Sequence, residues 1–279
     1  MILISIIDSK FNEDIEAWSN VWVKTAGMPV YEWYNPESVE QRKDQISNRI
    51  WQQPLEIKRG YEAEITIDLI NAKPVRIDSL STYNFLNSDG FSYGYFKLAD
   101  SSKNGFLANP LYSNDPVFRA SMWINCWEGM VRGDGPTPDL MIQSMLGVLK
   151  GEENPLIVDY LLGNLQTAWW TFLPEHNRNL LQDELEATLW ELVLETTDAG
   201  KKNSYFRAYR NLTMSETGLE RIEQLWLDKL KIKDLVLSEE DKMTLVYELA
   251  LKNQEKVSTT YQLDSRRPKI LTGKSDLNL

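Results

Sequence analysis

Histidine and cysteine are the scarcest of the residue types in this chain that could do chemistry, with one residue of each. The chain of 279 residues contains a single histidine, His176. A zinc hydrolase needs several ligands that converge on the metal, and two of them are commonly histidines one helical turn apart. A zinc site built from the histidines of this chain alone is therefore excluded by counting. We interpret His176, which lies between two helical patterns, as a surface or capping residue.

The nucleophile candidates are equally sparse. Cys126 is the only cysteine, so the chain can form neither an intramolecular disulfide nor a cysteine-rich metal site. It lies in an apolar helical pattern among tryptophans, whereas a reactive thiol needs an electropositive and partly exposed setting, so we interpret it as a buried structural residue. The glycine-rich residues 129–135 follow a helical pattern, which favours a helix end with a glycine stop over a phosphate loop.

Carboxylates and tryptophans are abundant, but their positions suggest structural roles. Glu152-Glu153 and residues 239–241 lie at or just before predicted helix starts, where negative charge is favoured, so we expect capping and solvation rather than acid–base catalysis. Trp169 falls on an apolar helical stripe and is predicted to be core, while the role of Trp170 stays open. The sequence therefore predicts no catalytic, cofactor-binding or metal-binding residue in this chain.

Composition limits the class of protein and of partner. Hydrophobic residues make up 42% and charged residues 25%, which is typical of a globular chain. The net charge of −11 disfavours a nucleic-acid partner, because the phosphate backbone would be repelled. The apolar residues 1–7 meet Asp8 at once and lack a basic leader, so we expect no signal peptide, no membrane span and a soluble chain. The compartment stays open, with a slight preference for the cytoplasm.

The first third of the chain changes from a helical to a strand-like pattern. Residues 14–26 show helical periodicity, and Gly27 and Pro29 end it. Residues 55–57, 65–69 and 75–77 then alternate between apolar and polar side chains, with turn sequences at 71–74 and 87–90. This pattern predicts a small antiparallel β-sandwich.

After about residue 110 the periodicity is helical throughout. Helix starts are predicted at Asp115-Pro116, Thr137-Pro138, Asn154-Pro155, Ser215 and Ser238, the last with Asp241 as a capping box. Helices that recur about every 20 residues are typical of an α-helical superhelix of the HEAT or armadillo kind. Residues 263–279 lose periodicity, and we expect them to be frayed.

The predicted fold class is therefore multidomain, β then α. Residues 1–30 form a helical segment, residues 31–105 a β-sandwich domain and residues 106–279 an α-helical superhelical domain. Residues 101–105 are polar, so we expect an exposed boundary there that a protease would cut.

Several stretches resemble one known family. Residues 14–30, with Trp18-x-x-x-Trp22 followed by Gly27-x-Pro29, are similar to the end of the thermolysin-like domain of aminopeptidase N-like zinc metallopeptidases. Residues 85–95 resemble the last strands of the sandwich that follows it. Residues 115–132 and 154–165 are similar to the first helices of the family's C-terminal helical domain. The resemblance extends from about Asp14 to Leu249.

This resemblance implies a part of an enzyme rather than a whole one, in which residues 1–30 are the helical remnant of the end of a catalytic domain. The family's Gly-x-Met-Glu-Asn and His-Glu-x-x-His signatures do not occur here, so zinc is expected only in a separate or missing catalytic domain. The chain would be a non-catalytic C-terminal half whose helices cap the active-site cleft and enclose the peptide substrate. The alternative is a stand-alone helical-repeat binding or scaffold protein. A glycosidase is a third interpretation, supported only by abundant acids and tryptophans.

The resemblance also predicts a partner. Ile4, Ile6, Ile7, Trp18 and Trp22 would pack against the catalytic half, and without it they would leave an exposed apolar patch. We expect residues 1–30 to bind that half, to self-associate, or to be poorly ordered.

Overall fold

The computed structural model describes residues 6–7, 10, 14–35, 37–42, 49–60, 63–69, 73–77 and 81–252. The predicted turn at 71–74 falls partly outside these residues, and the frayed tail predicted at 263–279 falls wholly outside them, as does Ile4. The chain divides into two compact units, Met1–Pro174 and Glu175–Leu279. Strands come first and helices follow, which confirms the predicted β-then-α order.

The predicted first helix is confirmed at its start. Helix α1 spans Ile15–Ser19 and continues as a π-helical turn over Asn20–Lys24. The carboxylate of Asp14 caps it by accepting the Ala17 amide at 2.8 Å. Arg49 closes the other end, where its guanidinium donates to three backbone carbonyl oxygens of residues 21, 25 and 26 at 2.7–3.0 Å.

Seven strands are described, and they form two sheets. They are β1 (Val30–Asn35), β2 (Ser38–Arg42), β3 (Gln53–Arg59), β4 (Ala63–Leu69), β5 (Val75–Arg76), β6 (Asn84–Leu86) and β7 (Tyr95–Phe96). One sheet has the order β5-β2-β1-β7 and the other the order β4-β3-β6. Four of the five described strand pairs are antiparallel, but β1 and β7 are parallel, which corrects the prediction of a wholly antiparallel sandwich. The cause is that the chain leaves the second sheet after β6 and returns to the first sheet as β7, which runs beside β1 in the same direction as β1.

The two sheets share one apolar core. Its fully buried members are Tyr31, Val39, Leu55, Ile57, Ile77, Leu86 and Phe96. Leu55 and Ile57 belong to the predicted alternating pattern, and both point into this core. Burial of each such side chain contributes roughly 1.5–3 kcal/mol, so this core is what holds the strands together.

After β7 the first unit contains four described helices, and the last three of them begin at the predicted caps. They are α2 (Asp100–Ala108), α3 (Pro116–Arg132), α4 (Pro138–Leu149) and α5 (Pro155–Thr167), the last continued by a π-helical turn over Ala168–Phe172. Asp115 accepts the Val117 amide at 2.9 Å, and Asn154 accepts the Leu156 amide at 3.0 Å. The combination of a capping side chain and proline therefore located these helix starts correctly.

The expected exposed boundary at residues 101–105 is wrong. These residues lie within α2, and Ser102 and Lys103 are buried. The Ser102 hydroxyl joins the helix to β6, because it accepts the Asn84 amide at 2.8 Å and donates to the Asn84 carbonyl at 2.9 Å. A protease would have to unfold this helix before it could cut there.

Aromatic side chains hold these helices against the strands. Phe118 on α3 contacts Phe85 of β6 edge-on, with ring centroids 5.2 Å apart, and Phe106 on α2 contacts Trp123 at the same distance. Strands and first helices thus form one compact unit that ends at Pro174. The domains proposed from sequence at 1–30, 31–105 and 106–279 stay a prediction.

The second unit is described as helices only. They are α6 (Glu175–Glu195), α7 (Ala199–Leu212), α8 (Glu216–Trp226) and α9 (Glu239–Lys252). The predicted capping box is confirmed, because Ser238 and Asp241 exchange two backbone-to-side-chain hydrogen bonds of 2.9 and 3.1 Å. In the described part of the chain, no helix combines the length and the apolar character needed to cross a membrane.

Candidate functional site

The sequence candidates differ in their exposure to solvent. Cys126 and Trp169 are buried, as predicted from their apolar surroundings. Trp170 is partly exposed on the π-helical turn after α5. His176 is exposed in the first turn of α6, which agrees with a surface residue.

Burial should make Cys126 unreactive. It raises the pKa of the thiol to about 12, so roughly one thiol in 10⁴ is ionised at pH 8. We expect no reaction of the native chain with a disulfide reagent at pH 8 and one reacted thiol per chain after denaturation. A Ser101→Cys variant, which adds a thiol at an exposed position on α2, is the control and should react at once. Rapid labelling of native Cys126 would contradict this assignment.

Glu152 departs from the expectation of a solvated or capping carboxylate. It is buried and forms a two-point ion pair with Arg119 of α3, with nitrogen–oxygen distances of 2.9 and 2.7 Å. Arg119 also donates to the Ser113 carbonyl at 2.9 Å, and Glu152 accepts the Asn154 amide at 2.9 Å. The hydrogen bond to Glu152 raises the pKa of Arg119 further. This pair joins the first turn of α3 to the segment between α4 and α5 and is structural.

No acidic, histidine or cysteine cluster suggests a metal site in the residues that the structure describes. Groups of three or more such side chains placed to hold one ion are absent there. The sequence prediction that this chain binds no metal or cofactor stays a prediction.

We name one charged depression in the described part of the chain the β1–β7 groove. Its volume is about 330 Å³, and it is lined by Val30, Glu32, Arg42, Tyr95, Lys97, Arg132 and Asp134. Val30 pairs with Arg42 on one side and with Tyr95 on the other, so these three form a row across the first sheet. Because strand side chains alternate and Tyr31 points into the core, this row lies on the outward face.

The end of α3 supplies the remaining wall. Gly133 has φ 79°, the left-handed conformation that ends the helix, so the glycine-rich stretch is the predicted helix stop. The turn places Arg132 and Asp134 over the row of strand residues. The Arg132 guanidinium lies 4.6 Å from the centre of the Tyr95 ring, and the Tyr95 hydroxyl donates to Asp134.

The electrostatics of the groove combine both signs of charge. Lys97 lies 3.3 Å from Asp134, Arg132 lies 3.6 Å from Glu128, and Arg42 pairs with Glu32. Burial, followed by the hydrogen bond to Asp134, raises the pKa of Tyr95 well above its usual range. Tyr95 therefore stays neutral and acts as a donor at any physiological pH.

Sequence reasoning missed this groove because its members are distant in the chain. Glu32 does occupy an outward position of β1, and Lys97 directly follows β7, which is a weak signal. The parallel pairing of β1 with β7, however, has no local sequence signal. In the sequence, Asp134 is marked only as a member of the glycine-rich residues 129–135.

A second exposed feature lies on the segment before β1. We call it the Trp18 surface, and it comprises Trp18, Trp22, Val23 and Tyr93. The Trp18 and Trp22 rings stack at 6.5 Å, and Trp22 contacts Tyr93 at 6.2 Å. Trp18 is 50% exposed and Val23 is 65% exposed. Trp18, Trp22 and Tyr93 thus form a row of aromatic contacts, and Val23 adds an exposed apolar side chain to the segment that Arg49 holds in place.

No protein-family model and no curated protein sequence matches this chain.

Proposed function

We propose that this chain is the non-catalytic C-terminal half of a zinc aminopeptidase of the aminopeptidase N-like kind. In this role it docks on a catalytic domain that holds the zinc, and its helices cap the cleft and restrict access of the peptide. The Trp18 surface is the observation that carries the proposal. It lies on residues that resemble the end of the family's catalytic domain.

The Trp18 surface has the properties of an interface rather than of a core segment. The hydrogen bonds from Arg49 fix the backbone of residues 21–26, and the contact of Trp22 with Tyr93 fixes the inner side. The solvent-exposed faces of the Trp18 and Val23 side chains take no part in these contacts. Exposed tryptophan on a fixed backbone is the residue type most often found to dominate binding energy at interfaces.

The helical part supports a cap made of stacked helix pairs. Within the second unit α6 packs on α7 and α8 packs on α9, with short connections of three residues between α6, α7 and α8. Antiparallel neighbours joined in this way are the building unit of HEAT-like superhelices. The proposal includes a concave, solvent-filled inner surface that encloses peptide.

A complementation experiment tests this function. The chain would be co-expressed with a catalytic fragment of an aminopeptidase N-like enzyme that carries His-Glu-x-x-His and ends before the Trp-x-x-x-Trp helix. We expect co-elution in size-exclusion chromatography and hydrolysis of an aminoacyl-aminocoumarin substrate, whereas the chain alone should release nothing. Trp18→Ala should weaken the complex by about 2 kcal/mol, or roughly thirtyfold.

Tyr247→Ala is the matched control, because Tyr247 is an exposed aromatic residue on α9 that does not belong to the Trp18 surface. This variant should leave the complex unchanged. A monomeric chain that forms no complex would favour the alternative, a stand-alone helical-repeat binding protein. Zinc-dependent hydrolysis by the purified chain alone would overturn both.

A further inference from the structure

We propose that the β1–β7 groove is a binding site for a small zwitterion of net negative charge, of the acidic amino acid class. The inference stands on the residues of the groove alone and is independent of the proposed aminopeptidase relationship.

The size of the groove sets the size of the ligand. Its volume of about 330 Å³ lies at the lower end of the range in which ligand sites of proteins are found, about 300–1,000 Å³. The groove is open on one side and has a floor of strand β1, where Val30 presents the only aliphatic side chain of the lining. Such a site suits a single amino acid rather than a nucleotide or a sugar chain.

The charges of the groove set the chemistry of the ligand. The lining holds three cations, Arg42, Lys97 and Arg132, and two carboxylates, Glu32 and Asp134. The lining itself therefore carries one net positive charge, with Glu128 paired to Arg132 just outside it, in a chain whose net charge is −11. A ligand with two carboxylates and one ammonium group complements this set, because each ligand charge then meets an opposite charge. A simple dianion would leave the acidic side chains of the groove facing its own carboxylates.

The ion pairs already present do not block the site. The side chains of Lys97 and Arg132 are about 40% exposed, and their ion-pair distances are 3.3 and 3.6 Å. Ion pairs of this exposed kind contribute only about 0–1 kcal/mol, so a ligand carboxylate can replace a protein carboxylate at little cost. Each charge-assisted hydrogen bond that the ligand makes is stronger than that.

Tyr95 is the positioning residue of the groove. The Arg132 guanidinium lies over its ring in a cation–π contact, and its hydroxyl donates a hydrogen bond to one carboxylate oxygen of Asp134. Cation and carboxylate are thus held next to each other before a ligand arrives, which reduces the entropy lost on binding. An α-amino acid carries its ammonium and carboxylate on one carbon atom, so this pair of groups is the natural complement of the Arg132–Asp134 pair.

The test is calorimetric titration of the full chain with L-glutamate as the probe. Glutarate, which lacks the ammonium group, inorganic phosphate and L-lysine are the comparison ligands. We expect one saturable site for L-glutamate that weakens with added salt, and at least tenfold weaker binding of the other three. Arg132→Gln should reduce the affinity at least tenfold, whereas Arg76→Gln, an exposed arginine on β5 outside the groove, should not change it.

Asp134→Asn distinguishes a zwitterion site from a plain anion site. The amide keeps a hydrogen-bond acceptor for Tyr95 but loses the charge that meets the ammonium, so the preference for L-glutamate over glutarate should disappear. The proposal is overturned if L-glutamate gives no saturable heat, if glutarate or phosphate binds the unaltered chain equally well, or if Arg132→Gln leaves the affinity unchanged.

Discussion

Replacement of Glu152 by glutamine is expected to lower the free energy of unfolding by about 3–5 kcal/mol, because the variant leaves the charge of Arg119 buried without its counter-ion. Both side chains are shielded from water, and the guanidinium faces the carboxylate through two nitrogen atoms. The loss should appear as a lower midpoint in urea unfolding followed by tryptophan fluorescence, with Trp123 buried on the same helix as Arg119.

The control is Glu128→Gln on the same helix. Glu128 pairs with Arg132 one turn further on at 3.6 Å, and both side chains are 40% exposed, so its loss should cost less than about 1 kcal/mol. A paired replacement of Arg119 by Met and Glu152 by Leu should recover most of the stability lost by Glu152→Gln, since it removes both charges from the interior. Equal effects of the two single glutamine variants would contradict the assignment of the buried pair.

Local sequence signals predicted the helices of this protein well. Asp115, Thr137 and Asn154 each precede a proline, and each caps the helix that begins there. Ser215 and Ser238 likewise stand directly before α8 and α9. Such caps depend on residues within one turn of each other, so a single sequence carries the whole signal.

Features that depend on distant partners were predicted poorly. The polar residues of α2 looked like an exposed boundary, because nothing local shows that Ser102 bonds to Asn84 across 18 residues. Glu152 looked solvated, because its partner Arg119 lies 33 residues earlier. The β1–β7 groove could not be predicted for the same reason. Its walls come from the first strands of the chain, from the last strand and from the end of α3, which are far apart in sequence.

Replacement of Gly135 by alanine should also be strongly destabilising. An alanine Cβ at this position would lie 2.3 Å from the carbonyl carbon of Gly129 and 2.4 Å from the amide nitrogen of Met130. Both are backbone atoms of α3, so no side chain can rotate away to make room. The chain after the helix would have to move out, and we expect a loss of about 3 kcal/mol, the upper part of the usual range for overpacking.

Gly163→Ala is the matched control for this substitution. Gly163 lies inside α5, and an added Cβ there would meet nothing within 4 Å. Alanine is favoured over glycine in a helix interior, so this variant should be more stable by about 0.5–1 kcal/mol. The midpoint of thermal or urea unfolding should therefore fall in Gly135→Ala and rise in Gly163→Ala.

The Gly135→Ala variant should also disturb the β1–β7 groove, because residue 135 follows Asp134 directly. A displaced Asp134 loses its contacts with Tyr95 and Lys97, so binding of L-glutamate should weaken along with the fold. Gly163→Ala should leave that binding unchanged. If Gly135→Ala were as stable as the unaltered chain, the close approach of the turn to the backbone of α3 would be wrong, and with it the placement of Asp134 in the groove.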